Sequence, residues 1–210
     1  MLKIKIAAAA CLLALTGTVA AELEGNIGIT NNYVWRGFTQ TQDQAAVSGG
    51  LDYSHESGFY AGAWASNVDF GPDAGYELDL YGGYGGEFEG GISYDVGFIY
   101  YAYPNLDGSD FSEVYINGGY AGFSAGISFQ VDADFTDEDY IYYSLGYELD
   151  LNDDYGLSFS LGNYDFGDDG ESVVNYGVTL NKGDFGFGLI ANDLDGDDDV
   201  RVVLSYAWTF

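Results

Sequence analysis

Carboxylates are the reactive groups that this sequence offers in greatest number. Its 210 residues include 34 Asp and Glu against five Lys and Arg, which gives a formal net charge of −29 at pH 7. Charge of this sign repels phosphate backbones, so we expect no nucleic-acid partner. Hydrophobic residues make up 47% of the chain and aromatic residues 18%, a composition that favours a folded protein over a disordered one.

The segment 193–199 (DLDGDDD) has the composition of a cation-binding loop. Asp193, Asp195, Asp197 and Asp199 could offer oxygen ligands, of which Ca²⁺ takes six to eight. The segment lacks the Glu that closes the twelve-residue calcium loop. We therefore expect a solvated acidic loop, with a metal site as the alternative, and we expect no cofactor.

Residues suited to catalysis are few. The single histidine, His55, falls in a predicted short turn between two strands, so it is poorly placed to serve as a catalytic base. Glu77 and Asp79 share one face of a predicted strand, as many solvated carboxylate pairs do. The glycine pairs that flank Tyr84 fit a tight turn better than a phosphate-binding loop. We expect no enzymatic activity.

A two-residue periodicity places these groups on β-strands. Between residues 123 and 132, every odd residue is apolar and every even residue is small or polar, and a strand puts such sets on opposite faces. The pattern is mixed in 59–68, so this segment is predicted as a strand without an assignment of its inward and outward faces. Twelve strands are predicted, at 23–36, 45–54, 59–68, 76–81, 88–98, 113–120, 123–132, 141–150, 157–164, 174–181, 185–191 and 201–210.

The connections between the predicted strands alternate in length. Short ones lie at 55–58, 85–87, 121–122, 152–154 and 182–184, and longer ones at 37–43, 69–75, 104–110, 133–139, 167–172 and 192–199. Up-and-down membrane barrels have an even strand number, short turns at the end with the termini and longer loops at the other. The sequence therefore predicts an all-β, twelve-stranded, transmembrane up-and-down antiparallel β-barrel, with a soluble sandwich as the alternative.

The first residues have the pattern of an export signal. Lys3 and Lys5 precede an apolar stretch at 6–15 and then small residues, which predicts a signal peptide at 1–21 and a barrel domain at 22–210. Cys11 lies inside the apolar stretch, so lipidation is not expected. Aromatic residues near strand ends are typical of girdles at membrane interfaces; these are Trp35, Tyr53, Phe59, Tyr84, Phe88, Tyr100, Tyr120, Phe123 and Trp208.

Two short motifs resemble a known family. The run YVWRG at 33–37 and the segment 64–67 are similar to the TorF-type porin family of small outer-membrane proteins, and the likeness is strongest from about 27 to 84. The resemblance implies a porin-like role in the outer membrane of a Gram-negative bacterium. The last strand also resembles the signal that the barrel-assembly machinery reads, with Tyr206, Trp208 and Phe210.

The polar faces of the predicted strands are candidates for a pore lining. Carboxylate rings favour the entry of cations, and the screening length of about 8 Å at physiological salt does not erase this effect in a narrow pore. The alternative is that the acids are solvated or hydrogen-bonded fillers of a plugged barrel. The candidates are Glu24, Asp52, Glu77, Asp79, Glu89, Asp95, Glu113, Asp132, Glu148 and Asp150, with Arg36 and Arg201 as the opposing cations.

Arg36 and Arg201 carry a separate hypothesis. They lie near the outer ends of the first and last predicted strands, which must pair to close a barrel. We expect the two cations to be neighbours that face Glu77 and Glu113 at the same depth, which would create a transverse field at a constriction. Plain ion pairing that fixes the packing is the alternative.

These observations predict an outer-membrane, porin-like protein that gives passive, cation-preferring passage to small polar solutes. Its expected contacts are outer-membrane lipid, lipopolysaccharide, the barrel-assembly machinery and the solutes or cations that cross. A non-conducting barrel with structural or surface-binding duties, plugged by tyrosines such as Tyr81, Tyr115 and Tyr142, is the alternative. An outer-membrane enzyme is the third hypothesis.

Overall fold

Twelve strands form one closed antiparallel barrel in the computed structural model, which describes residues 21–71 and 75–210. A separate two-stranded hairpin, β2–β3, lies between the first two barrel strands, and a short 3₁₀ turn spans Gly167–Asp169. The predicted signal peptide at 1–21 lies outside the described residues except for Ala21. The strands are β1 (Glu22–Thr30), β2 (Val34–Trp35), β3 (Phe38–Thr39), β4 (Ala46–Ser54), β5 (Phe59–Val68), β6 (Gly75–Phe88), β7 (Ile92–Ala102), β8 (Phe111–Tyr120), β9 (Phe123–Ala133), β10 (Ile141–Asp150), β11 (Gly156–Asp165), β12 (Val173–Lys182), β13 (Phe185–Asn192) and β14 (Arg201–Thr209).

The alternating pattern sets which face of each strand points outward, as predicted. On β1, Ile27 and Ile29 are exposed, while Asn26 and Thr30 are half-buried. The outside of the barrel is therefore apolar and the inside largely polar. Both ends of the barrel sequence and the short turns lie at one end, the turn side, and the longer connections lie at the other, the loop side. Among the described residues, no helix has both the length and the apolar character needed to cross a membrane.

The faces of β5, which the sequence left open, are assigned by burial. Tyr60 is only 7% exposed and points inward, whereas its neighbour Phe59 is 62% exposed and points outward. Trp64 follows the phase of Tyr60 and packs against Tyr33 inside the barrel, with ring centroids 5.5 Å apart. Small residues at Ala61, Ala63 and Ala65 fill most of the outward face, so the sequence lacked a strong apolar signal there.

The predicted turn at 85–87 is wrong. Strand β6 continues to Phe88, and the turn to β7 occupies 89–91. Gly90 and Gly91 both have positive φ angles, 103° and 85°, which only glycine adopts without strain. The pore-lining candidate Glu89 therefore lies in an exposed turn and not on the inner wall.

A β-bulge moves a second candidate, Asp132, out of the lumen. Glu113 of β8 pairs with Gln130 of β9, but the next pair along is Ser112 with Asp132, so β9 carries one extra residue. The bulge reverses the alternation of side chains. Asp132 is exposed on the outward face, in the row of Ser112 and Tyr100.

The last strand closes the barrel against the first. Reciprocal backbone hydrogen bonds of 2.9 Å join Gly25 and Phe210, and β14 pairs with β1 over five residues. The predicted assembly residues Tyr206, Trp208 and Phe210 share the outward face, where the rings of Trp208 and Phe210 lie 5.1 Å apart.

The inward tyrosines of β5 and β6 lie against the wall because each pairs with a glycine on the neighbouring strand. Tyr60 of β5 pairs with Gly83 of β6, and Tyr81 of β6 pairs with Gly62 of β5. A Cβ atom on Gly83 would lie 2.5 Å from the Val96 carbonyl oxygen and closer still to the Tyr60 hydroxyl. Glycine is therefore needed there for the close approach of the ring.

We predict that Gly83→Ala destabilises the barrel by about 1–3 kcal/mol, the usual cost of an overpacked site. The matched control is Gly156→Ala in β11, where the added Cβ atom would meet only the Leu149 carbonyl oxygen at 3.7 Å. The free energy of unfolding is measured in detergent micelles against urea, with the gel mobility of the folded barrel as readout. Equal stability of the two variants would contradict the assigned role of Gly83.

Candidate functional site

The chain between β1 and β4 folds back into the barrel. Residues 31–45, here called the lumen segment, carry the β2–β3 hairpin. Its two turn residues, Arg36 and Gly37, have positive φ angles of 48° and 88°, as a two-residue type I′ hairpin requires. The predicted first strand at 23–36 and the predicted outside loop at 37–43 are therefore wrong in this region.

Asn31 marks the point where the chain leaves the sheet. Its backbone N–H donates to the Leu204 carbonyl (3.1 Å), its side-chain amide donates to the Val202 carbonyl (2.9 Å), and its side-chain oxygen accepts from the Leu204 N–H (2.6 Å). The side chain thus supplies β14 with the partners that another strand residue would have offered. The backbone of the lumen segment is free to turn inward.

A buried ion pair fixes the tip of the lumen segment to the opposite wall. The Arg36 guanidinium donates through both terminal nitrogens to the two carboxylate oxygens of Glu113 on β8, at 2.7 Å each. The side chains are 8% and 2% exposed. β8 lies across the barrel from β1 in the strand order, so the segment spans the lumen.

Aromatic rings surround this ion pair. The Arg36 guanidinium carbon lies 4.1 Å from the centre of the Tyr142 ring and 4.3 Å from that of Trp35. Trp35 packs edge-on against Tyr101, Phe111 and Tyr164, with centroids 5.8–6.1 Å apart. Cation–π and edge-to-face contacts of this kind gain strength when they are shielded from water.

The apolar residues of the lumen segment do not face outward. The sequence predicted Tyr33 and Trp35 on the outward face of the first strand, with Trp35 in an aromatic girdle. Tyr33 is instead buried in a small core with Ala46 and Val68. The strand alternation identifies residues that avoid water but does not distinguish an apolar exterior from a filled interior.

Arg201 holds the same tip from the other side. Its guanidinium and the Asn192 side-chain amide donate to the Gly37 carbonyl oxygen, at 3.1 Å and 3.0 Å. Arg201 also forms ion pairs with Asp197 and, at 3.5 Å, with Asp43. A Cβ atom on Gly37 would lie 2.6 Å from Asn175 Cβ, so this close approach also requires glycine.

The hypothesis that Arg36 and Arg201 face Glu77 and Glu113 is confirmed for one contact and wrong about the positions of the two side chains. Arg36 meets Glu113, as expected, but from the tip of the lumen segment and not from a strand end. Arg201 pairs with Asp197 and Asp43 instead of facing Glu77. Both guanidinium groups are thus engaged in ion pairs, which is the alternative that the sequence left open.

The pore-lining candidates fall into two groups. Glu77, Asp79 and Glu113 lie towards the loop side, next to the lumen segment, and are only 1%, 6% and 2% exposed. Those towards the turn side are half-buried or exposed: Glu24, Asp52, Asp95, Glu148 and Asp150. The loop-side acids are therefore packed away from water, whereas the acids of the turn-side half of the lumen, here called the vestibule, keep contact with water.

Hydrogen bonds order the acids of the vestibule. Asp52 accepts from the Asn26 side-chain amide at 3.1 Å and from the Tyr81 hydroxyl. Asp95 accepts from Tyr60 at 2.6 Å and from the Asn117 amide at 3.1 Å. All of these donors are neutral, so the negative charges of the wall stay uncompensated.

The acidic 193–199 loop is organised by hydrogen bonds. Asp193 accepts from the Val174 N–H at 2.7 Å, and Asp197 accepts from the Asn192 amide at 3.0 Å in addition to pairing with Arg201. In the part of the chain that the structure describes, no group of three or more His, Cys, Asp or Glu residues is arranged to hold a metal ion.

The chain belongs to the Gcw_chp family, described as bacterial proteins of unknown function, whose family model matches residues 14–205. No curated protein matches the sequence.

Three solved outer-membrane structures share its fold. The KdgM porin has a TM-score of 0.55 at 10% identity, covering 90% of this chain and 99% of its own. The same porin in complex with disordered oligogalacturonate scores 0.54, also at 10% identity and with the same coverage. The COG4313 outer membrane channel from Pseudomonas putida F1 scores 0.55 at 14% identity, covering 92% of this chain and 97% of its own. At these identities the likeness establishes the barrel fold.

We predict that Glu113→Gln loosens the lumen segment, because it leaves the Arg36 guanidinium buried without a counter-charge. Removing one partner of a buried ion pair costs about 3–5 kcal/mol, so amide hydrogen exchange at 33–40 should accelerate by about a hundredfold or more. The control is the double variant Arg36→Met with Glu113→Leu, which removes both charges and should stay close to the parent. Unchanged exchange in Glu113→Gln would show that the ion pair does not hold the segment.

Proposed function

We propose that this protein is a porin-like channel of the Gram-negative outer membrane that gives small polar solutes passive, cation-preferring passage. The observation that carries the proposal is the closed barrel with an apolar exterior and an acid-lined interior. Exposed apolar side chains on every barrel strand would meet lipid, and closure satisfies the backbone groups that hydrocarbon cannot. The shared fold with outer-membrane channels and the resemblance to the TorF-type porins support the same proposal.

Cation preference is proposed from the balance of charges that line the lumen. The Arg36 and Arg201 guanidinium groups are both bound to carboxylates, whereas Asp52 and Asp95 have only neutral partners. An entering ion therefore meets an uncompensated negative wall in the vestibule, which attracts cations. The KdgM porin has been described with oligogalacturonate, and we propose that the solutes of this chain are neutral or positively charged.

The lumen segment would set the width of the pore. It crosses the barrel on the loop side and is bounded there by buried residues of β5, β6, β8 and β14. We propose that conduction requires either a narrow path beside the segment or its displacement. The loop-side rim would contact lipopolysaccharide. The outward Tyr206, Trp208 and Phe210 would be the residues that the barrel-assembly machinery recognises.

A non-conducting barrel with a structural or surface-binding role is the second candidate, and the filled loop-side half of the lumen favours it. An enzyme is not proposed. His55 lies in the exposed β4–β5 turn, where its ring contacts Ser57 Oγ at 2.7 Å. That turn is on the opposite side of the barrel from the loops, where a base acting on outer-leaflet lipid would have to lie.

We predict that the purified protein conducts ions in planar bilayers and that the reversal potential under a KCl gradient favours K⁺. A unit charge about 8 Å from an ion in water contributes about 0.5 kcal/mol, with opposite sign for a cation and an anion, so each of Asp52→Asn and Asp95→Asn should lower the cation-to-anion permeability ratio by about fivefold at low salt. Asp132→Asn is the matched control, since Asp132 lies on the outward face. An anion-selective parent, or equal effects of all three substitutions, would refute the cation preference.

We also predict that removing the lumen segment raises single-channel conductance several-fold. Thr30 and Ala46 are paired at the ends of β1 and β4, so a two-residue Asn-Gly turn can replace residues 31–45 without changing the register. A shortened barrel that folds, shifts in gel mobility on boiling and still carries no current would favour the non-conducting role.

A further inference from the structure

Two carboxyl groups are buried side by side beneath the lumen segment. Glu77 and Asp79 of β6 point inward, are 1% and 6% exposed, and lie within hydrogen-bonding reach of each other. Each keeps one buried oxygen without a hydrogen-bond partner, Oε2 of Glu77 and Oδ1 of Asp79. A buried carboxylate in this condition is strongly unfavourable unless something neutralises it.

The groups around this pair do not supply a positive charge. The Tyr33 hydroxyl comes from the lumen segment, Tyr103 from the β7–β8 loop and Tyr101 from β7, while Glu113 of β8 adds a further negative charge. Burial raises the pKa of the Tyr33 and Tyr103 hydroxyls well above the ordinary value, and the nearby carboxylates add to the shift. Both tyrosines therefore remain neutral.

The remaining neighbours are neutral or already engaged. On β5, the cross-strand partners of the pair are Ser66 and Trp64. The Arg36 guanidinium is held by both carboxylate oxygens of Glu113. In the part of the chain that the structure describes, neither Glu77 nor Asp79 forms an ion pair with a basic side chain.

We infer that Glu77 and Asp79 bind one proton between them when the lumen segment is docked, and that loss of this proton releases the segment. Two carboxylates in contact in a water-poor site do not ionise together, because each negative charge opposes the other. A shared proton leaves one net charge and supplies a hydrogen-bond donor. The pair is thus a proton-binding site at the face on which Tyr33 docks.

The direction of the pH effect follows from linkage. With the segment displaced, both acids would face water and be ionised near neutral pH, so docking takes up one proton. A state that binds the extra proton is favoured at low pH, and its population relative to the released state falls by up to about tenfold per pH unit once the pair begins to ionise. The Arg36–Glu113 pair holds the segment independently of pH in this range, since arginine stays charged.

The docking equilibrium can be measured without any current. Ser66→Cys places a thiol on the inner wall of β5 at a position that is 4% exposed, opposite Glu77. Ser160→Cys places a reference thiol at an exposed inward position of β11. A water-soluble, charged thiol reagent is applied to each variant, and its rate with Ser66→Cys is divided by its rate with Ser160→Cys. This ratio removes the pH dependence that the two thiolates share, and background from Cys11 is measured on the parent.

We expect this ratio of labelling rates to rise by at least tenfold between about pH 6 and about pH 9. Asp79→Asn, combined with either thiol variant, keeps a neutral partner beside Glu77 at every pH. It should therefore hold the ratio low and flat, and Glu77→Gln should do the same. A ratio independent of pH, or an unaltered pH profile in both amide variants, would overturn the inference.

The part of the inference that concerns current rests on the proposed function: channel opening should increase with pH in the parent and not in Asp79→Asn. If neither the parent nor the barrel lacking residues 31–45 conducts, the channel proposal fails, while the labelling ratio still decides the proton site. If the shortened barrel conducts and the labelling ratio is flat, only the proton site fails.

Discussion

The interior of this barrel is organised around the buried, bidentate ion pair between Arg36 and Glu113, in which neither charge tolerates the loss of the other alone. This ion pair joins a hairpin tip to a wall strand on the far side of the lumen, at 2.7 Å through each of two hydrogen bonds. Because both charges are buried, removing either partner alone would leave the other as an unpaired buried charge and would destabilise the protein. The aromatic rings around Arg36 and the bonds from Arg201 and Asn192 to Gly37 complete a packed layer that a lone loop could not form.

That layer divides the lumen into two environments. On the loop side, acids such as Glu77 and Glu113 are withdrawn from water and must be neutralised by a cation or a proton. On the turn side, Asp52 and Asp95 stay in contact with the vestibule and accept bonds from neutral tyrosine and asparagine donors. The same residue type thus stabilises packing in one half and creates an electric field in the other.

The strand alternation was enough to predict the closed barrel, its twelve strands and the side on which the long loops lie, because every strand must present one face to each environment. The prediction from strand alternation failed at two places where alternation along the chain no longer corresponds to the inner and outer faces of the barrel. Tyr33 and Trp35 continue the apolar alternation after the chain has left the sheet at Asn31, and the extra residue before Asp132 reverses it. The signal for the hairpin in the sequence was weak, because only Gly37 of the two turn residues is a type that favours a positive φ angle. Partners such as Glu113 and Asn192 are distant in sequence, so only the folded barrel brings them to that turn.

The position of the lumen segment along the chain dictates when it can form. It follows the first barrel strand, yet the Gly37 carbonyl is bound by Asn192 and Arg201, which lie 155 and 164 residues further on. Contacts of such long sequence separation form late in folding. The tip of the segment can therefore gain its full set of partners only once the final strands arrive, which makes the layer around Gly37 one of the last parts of the interior to be completed.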